Sequence, residues 1–155
     1  MANTYTQLFV QLVFSVKGRE NLIKERFRDE LEKVMCGIIT NHKSKVYAIY
    51  CNPDHVHIFV GLHPTVSISK LIEQIKSGST NWLNEKKYIV GKFCWQDGYG
   101  AFTYSKSQTD NVVKYIANQP DHHKKQSFRE EYLSFLSKFD IDYDPKYLFE
   151  WYEEI

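Results

Sequence analysis

Two histidines separated by one apolar residue, His55 and His57 around Val56, stand in the run Pro53-Asp54-His55-Val56-His57-Ile58-Phe59-Val60. On a strand, side chains at i and i+2 leave from the same face, about 6.6 Å apart along the chain. The two imidazoles therefore point together, and Val56, Ile58 and Val60 point into the core. Two convergent imidazoles can hold one divalent metal. Two histidines on an open sheet face account for the pattern equally well.

A second candidate lies in Asn111-Val112-Val113-Lys114-Tyr115-Ile116-Ala117-Asn118-Gln119. Helical spacing sets Tyr115 and Gln119 one turn apart on one face. A phenol is a nucleophile once deprotonated. Its free pKa is about 10, so it needs a metal or base nearby. Gln119 offers a neutral carbonyl oxygen, a hard donor suited to Mg²⁺ or Mn²⁺. Packing alone also explains a tyrosine on a helix. Lys70 and Lys76, with Ser77, Ser79 and Thr80 beside them, and Lys124 and Lys125 after His122-His123, are candidates for phosphate contacts. Each is also compatible with a solvated polar face.

The elements that must carry these residues follow from periodicity. Residues 5–15 alternate, with Leu8, Val10, Leu12 and Phe14 opposite Gln7 and Gln11, which predicts a half-buried strand. From Asn21, the positions Ile23, Phe27, Leu31, Val34 and Ile38 predict an amphipathic helix. Residues 45–51 and 55–61 predict strands joined by the turn Asn52-Pro53-Asp54, antiparallel because the connection is so short. Ser67 can cap a helix carrying Ile68, Leu71, Ile72 and Ile75, with Gly78 as a weak point. Residues 99–105 predict a fourth strand. Ser107 or Thr109 can cap the tyrosine helix, which Pro120 stops near Gln119. Residues 128–139 predict a last helix. The order is the ferredoxin-like split βαβ pattern of an α+β protein: one antiparallel sheet, helices on one face, and the tyrosine helix C-terminal to it. The opposite face is then free for a site or a partner.

Composition bounds the function. The chain has 155 residues, which fits one domain over 1–155. Twenty Lys+Arg against nineteen Asp+Glu leave a net charge of +1, so any nucleic-acid contact must come from a local patch. Three widely spaced cysteines, Cys36, Cys51 and Cys94, argue against a disulfide framework and for a reducing cytoplasm. The N-terminal stretch has no basic leader, and Gln7 and Gln11 interrupt its apolar run, which speaks against a signal peptide or membrane span. The absence of a Gly-rich phosphate loop fits chemistry without a nucleotide cofactor.

Taken in order, His55-Val56-His57 on a strand and Tyr115 with Gln119 after it resemble the single-tyrosine HUH transposases of bacterial insertion sequences. Trp95-Gln96-Asp97-Gly98-Tyr99-Gly100-Ala101-Phe102, the run from Tyr115 to Gln119 with His122-His123-Lys124-Lys125, and Ser127-Phe128-Arg129-Glu130-Glu131-Tyr132 add to the likeness. The resemblance implies a divalent metal, Mg²⁺ or Mn²⁺, on His55 and His57 with Gln119 as third ligand, and Tyr115 as nucleophile. It implies single-stranded DNA with hairpin ends as substrate, a 5′-phosphotyrosine intermediate, and a homodimer in which one subunit's tyrosine helix can complete the other's site. On that reading Lys70, Lys76, Lys124 and Lys125 form a cationic strip, and Glu150, Glu153 and Glu154 lie away from DNA. A domesticated repeat-processing nuclease shares the same chemistry. A non-catalytic single-strand-binding module and a zinc-dependent hydrolase using water are the other readings.

Overall fold

The computed structural model describes residues 3–122, 126–145 and 148. The sheet elements run β1 (Phe9–Ser15), α1 (Glu25–Asn41), β2 (Lys45–Cys51), β3 (His55–Gly61), α2 (Ile68–Lys86) and β4 (Gly100–Tyr104). The strands form one sheet in the order β2-β3-β1-β4, every pair antiparallel. This is the expected split βαβ arrangement. It puts the histidine strand beside the central β1, with Val13 opposite His57 and Ser15 opposite His55.

One face of the sheet carries the main core. Val10, Leu12 and Phe14 of β1 and Val56, Ile58 and Val60 of β3 pack against Phe27, Leu31, Met35 and Ile39 of α1 and Leu71, Ile72 and Ile75 of α2. Each such side chain, fully buried, contributes about 1.5–3 kcal/mol. Helix α1 starts at Glu25 rather than near Asn21. The Ile23 N–H donates to the Pro53 carbonyl at 3.0 Å and holds that stretch extended. Ser67 caps α2 as expected, its hydroxyl accepting from the Lys70 N–H at 3.0 Å. Gly78 is a contact point between the two helices. A Cβ there would lie 2.5 Å from Ile38 Cδ1, so the missing side chain lets α1 approach α2.

The second face is not left open. Helices α3 (Thr109–Ala117) and α5 (Phe128–Lys138) lie over it. Val13 and Phe102 pack with Phe128, Tyr132, Phe135 and Leu136, and Phe59 packs with Val112 and Ile116. Strand β1 is consequently buried on both faces from Val10 onward, Gln11 included, and not half-buried. The apolar stripe of α5 needs a partner surface, and Val13 and Phe102 provide it. Tyr5, expected in the strand, is 92% exposed, and pairing begins only at Phe9.

The tyrosine helix is also shorter than its spacing predicts. It ends at Ala117, and Gln119 opens a separate turn, α4 (Gln119–His122). Pro120 has no N–H with which to continue the ladder.

Candidate metal and tyrosine site

Strand β3 turns His55 and His57 to the covered face, with ring centroids 5.2 Å apart and planes at 77°. Both are essentially inaccessible, at 1% and 0% exposure. His55 Nδ1 lies 2.6 Å from Asp54 Oδ1. A carboxylate only accepts, so a ring proton sits on Nδ1, and Nε2 faces the site. Asn52 Nδ2 stands 3.2 Å from that Nε2. Phe128 of α5 stacks on the His55 ring at 3.9 Å and 13°. His57 is held at both nitrogens. Gln11 Nε2 approaches Nδ1 at 2.9 Å, and Nε2 lies 2.8 Å from Glu131 Oε1.

Glu131 is the residue that sequence reasoning missed. It sits on α5 at 2% exposure. Its Oε1 faces both imidazoles, 2.8 Å from His57 Nε2 and 3.4 Å from His55 Nε2. Its Oε2 accepts from the Tyr115 hydroxyl and, at 3.2 Å, from Gln119 Nε2. The signal was present but unmarked. Phe128, Glu131, Tyr132 and Phe135 share one helix face, so Glu131 is a carboxylate inside an apolar stripe.

Tyr115 is half-buried, its ring centroid 5.9 Å from that of His57. Burial, and then the Glu131 charge, push its phenol well above the ordinary tyrosine value. Gln119 is fully buried. Its Oε1 accepts from Asn52 Nδ2 at 3.0 Å. Tyr115 and Gln119 therefore do not share an unbroken helix, yet both reach the same carboxylate. Burial pulls the His55 pKa down, but the hydrogen bonds to Asp54 and Glu131 outweigh it and the net shift is upward. A cavity of about 320 Å³ opens beside Tyr115 and Glu131, lined also by Tyr104, Gln108, Asn111 and Lys138. Burial holds the Tyr104 phenol up at about 12, and its hydroxyl donates to Gln11 Oε1 at 2.9 Å.

The donor set suits a divalent metal. One ligand atom from each of His55, His57 and Glu131 lies within 4.8 Å of the others. The Asp54 carboxylate on His55 Nδ1 is the partner that fixes a ligating imidazole in the right tautomer. Ser15 Oγ, opposite His55 in the register, is buried without a hydrogen-bond partner among the described residues.

The lysines expected at DNA are not gathered here. Lys70 is exposed at the start of α2, 4.0 Å from Glu73. Lys76 donates to the Gln96 and Gly98 carbonyls, both at 2.7 Å, and burial lowers its pKa. Both lie on α2, which packs on the sheet face opposite the histidines. Ser79 is fully buried, donating to the Ile75 carbonyl and accepting from Trp95 Nε1, so it does not offer its hydroxyl to a phosphate. Lys124 and Lys125, and Glu150, Glu153 and Glu154, lie outside the described residues. No helix among the described residues is long and apolar enough to cross a membrane.

Comparison with known proteins agrees with this geometry. Residues 4–119 match the family of IS200-like transposases. The ISDra2 transposase TnpA of Deinococcus radiodurans is 25% identical over 120 residues, covering 74% of this chain and 86% of the relative. A crystal structure from Deinococcus radiodurans assigned as a transposase superposes with a TM-score of 0.59 at 22% identity, over 77% of this chain and 95% of the other. The REP-associated tyrosine transposase, solved bound to a REP hairpin, superposes with a TM-score of 0.60 at 15% identity, over 100% of this chain and 98% of the other. The matched segment holds the histidine pair and the tyrosine, and on that basis the chain belongs to the IS200-like, single-tyrosine HUH transposases, enzymes that cleave and transfer DNA strands.

Proposed function

We propose that this transposase cleaves single-stranded DNA through Tyr115. The observation that carries the reading is that one carboxylate, Glu131, touches both the Tyr115 hydroxyl and the imidazoles of His55 and His57. The phenol attacks the scissile phosphate in line. Its proton leaves toward Glu131 Oε2, the tyrosine oxygen forms a bond to phosphorus as the bond from phosphorus to the 3′ oxygen breaks, and that departing oxygen takes up a proton from water to become a free hydroxyl. The product is a 5′-phosphotyrosine. One phosphodiester replaces another, so no nucleotide cofactor is needed and a different 3′ end can reverse the step.

His55 and His57 would hold Mg²⁺ or Mn²⁺, and Gln119 lies close enough to take part through Glu131. Such an ion would polarise the scissile phosphate and offset its charge. The protein's own share is positioning: the sheet fixes the imidazoles, and the bond to Glu131 aims the phenol. The cavity beside Tyr115, with Tyr104, Asn111 and Lys138 on its walls, is the proposed entry for the strand. Lys70, Lys124 and Lys125 remain the proposed contacts to the backbone, with Lys76 buttressing the loop at Gln96.

The whole of 1–155 acts as one domain, because Glu131 lies beyond the segment that the family match covers. The site is complete within one chain, so we place Tyr115 in the same active centre as its own histidines. A homodimer would supply the two centres that joining two ends requires. A cytoplasmic enzyme acting on hairpin-ended DNA is the setting this chemistry suits. A repeat-processing role is favoured by the full-length likeness to the REP-associated enzyme, whose structure contains a REP hairpin.

The test is incubation with end-labelled single-stranded hairpins from the flanks of the gene, with Mg²⁺ or Mn²⁺, followed by a denaturing gel. A labelled band that migrates with the protein is expected. Cleaved DNA without attached protein would instead indicate water as nucleophile.

A further inference from the structure

We infer that Lys43, Lys45, Lys106 and the ring of Tyr47 form a second binding strip, which takes the unpaired DNA running on from the Tyr115 cavity. The inference rests on the reading of single-stranded DNA as substrate and assigns where that strand lies beyond the scissile phosphate. A groove of about 510 Å³ opens at the end of the sheet away from the Asn52–His55 turn, with these four residues, Phe9 and Gly61 on its walls. Six steps along β3 separate Gly61 there from His55, about 20 Å of strand.

Charge selects the ligand. The chain has a net charge of only +1, so a polyanion must be met by a local excess of cations. The Tyr115 cavity has one lysine on its wall, Lys138, and the Glu131 carboxylate beside it, so most of a strand's charge has to be met outside it. None of the residues lining the second groove is acidic. Lys43, Lys45 and Lys106 are all exposed, and the ion pairs among the described residues use other groups.

The aromatic ring selects an unpaired strand. Tyr47 is 38% exposed on the edge strand β2, its ring 5.5 Å from that of Phe9 and 5.8 Å from that of Phe59. Lys45 Nζ stands 4.9 Å from the Tyr47 centroid. A Cβ at Gly61 would lie 2.9 Å from Tyr47 Cε2, so the bare glycine lets the ring lie over β3. A ring beside cations stacks a free base while the cations hold its phosphates, whereas a duplex keeps its base faces covered. The two hollows adjoin. Lys106 and Thr109 wall this groove, and Gln108 and Asn111 wall the Tyr115 cavity. Only the first turn of α3 and the turn before it divide them, so a strand passes from one to the other across that ridge.

The experiment uses the full chain carrying Tyr115→Phe, so that binding is read without cleavage. Fluorescence anisotropy follows a labelled hairpin with a single-stranded extension, and the same hairpin without one, from low to high NaCl. The triple variant K43A/K45A/K106A is expected to bind the extended hairpin at least about tenfold more weakly. Its plot of log affinity against log salt should be shallower by about 2, since each phosphate contact on a single strand contributes about 0.7. The blunt hairpin should be bound equally by both. With 2-aminopurine placed along the extension, quenching at one position is expected, and Y47L should abolish it. Circular dichroism and melting curves verify that the variants fold. The inference is overturned if the slope and affinity of the triple variant match the parent, or if Y47L leaves quenching intact. Equal weakening on the blunt hairpin would also overturn it and give the strip to the duplex stem. A wild-type chain that forms no covalent adduct would fail the cleavage reading alone, because these measurements do not depend on it.

Discussion

The Tyr115 hydroxyl on α3 donates to Oε2 of Glu131 on α5, 16 residues further along the chain. The same carboxylate reaches His57 Nε2 through its other oxygen at 2.8 Å. The proposed nucleophile and the two imidazoles are thereby linked through one side chain of the same molecule. On the proposed reading, cleavage would not need a tyrosine from a second copy.

That geometry predicts the outcome of mixing two inactive variants. His57→Ala lacks an imidazole and Tyr115→Phe lacks the phenol. Mixed at equal concentration with hairpin DNA and Mn²⁺, they are expected to yield no covalent adduct, because neither chain holds a whole site. Restored adduct in the mixture would place the tyrosine in the partner's site.

Gln11 is expected to matter although it touches no reacting atom. Its amide stands 2.9 Å from His57 Nδ1 and accepts from the Tyr104 hydroxyl. Ligation through Nε2 puts the ring proton on Nδ1, which the amide accepts by turning its oxygen to the ring. Gln11→Leu removes that partner and is expected to weaken Mn²⁺ binding by about 10- to 100-fold. Calorimetric titration measures this, and an unchanged affinity would remove Gln11 from the site.

Phe128 joins α5 to the histidine strand. It is 3% exposed and its ring lies 3.9 Å from that of His55. Phe128→Ala is expected to cost about 3–5 kcal/mol of stability, the usual range for emptying a buried aromatic position. Urea unfolding measures the loss. A cost below about 1 kcal/mol would mean that α5 is only loosely seated.

Alkaline pH should destabilise the fold. Burial holds the phenols of Tyr104 and Tyr132 each up at about 12. In an unfolded chain they ionise near a pKa of about 10. The folded values are raised, so the stabilisation is intact below pH ~10 and is lost as pH climbs toward ~12. The urea midpoint is expected to be lower at pH 11 than at pH 9, and Tyr104→Phe should shrink the difference. Equal midpoints at both values would contradict the buried, neutral phenols.

The sheet was legible because its signals are local. The alternation around Val56, the turn at Pro53 and the Ser67 cap each act within a few residues, and β2, β3 and the start of α2 fall where they predict. The covered second face was not legible. Gln11 looked like a solvated position, and only α3 and α5 folding back over the sheet bury it. Glu131 was hidden for the same reason. It lies 74 residues from His57, within an Arg129-Glu130-Glu131 run that reads as an exposed helix start. Only its place in the stripe of Phe128, Tyr132 and Phe135 set it apart. The break after Ala117 shows the limit of spacing arguments, since Gln119 reaches the site from a different turn than Tyr115.

The most direct measurement is to map the DNA attachment site. The adduct formed with hairpin DNA is digested with nuclease and trypsin, and the peptide that begins at Tyr115 after Lys114 is sequenced by mass spectrometry. A nucleotide linked through phosphate to Tyr115 is the predicted result, absent from Tyr115→Phe, which still binds the hairpin. An adduct on another residue, or one that persists in Tyr115→Phe, would contradict the account.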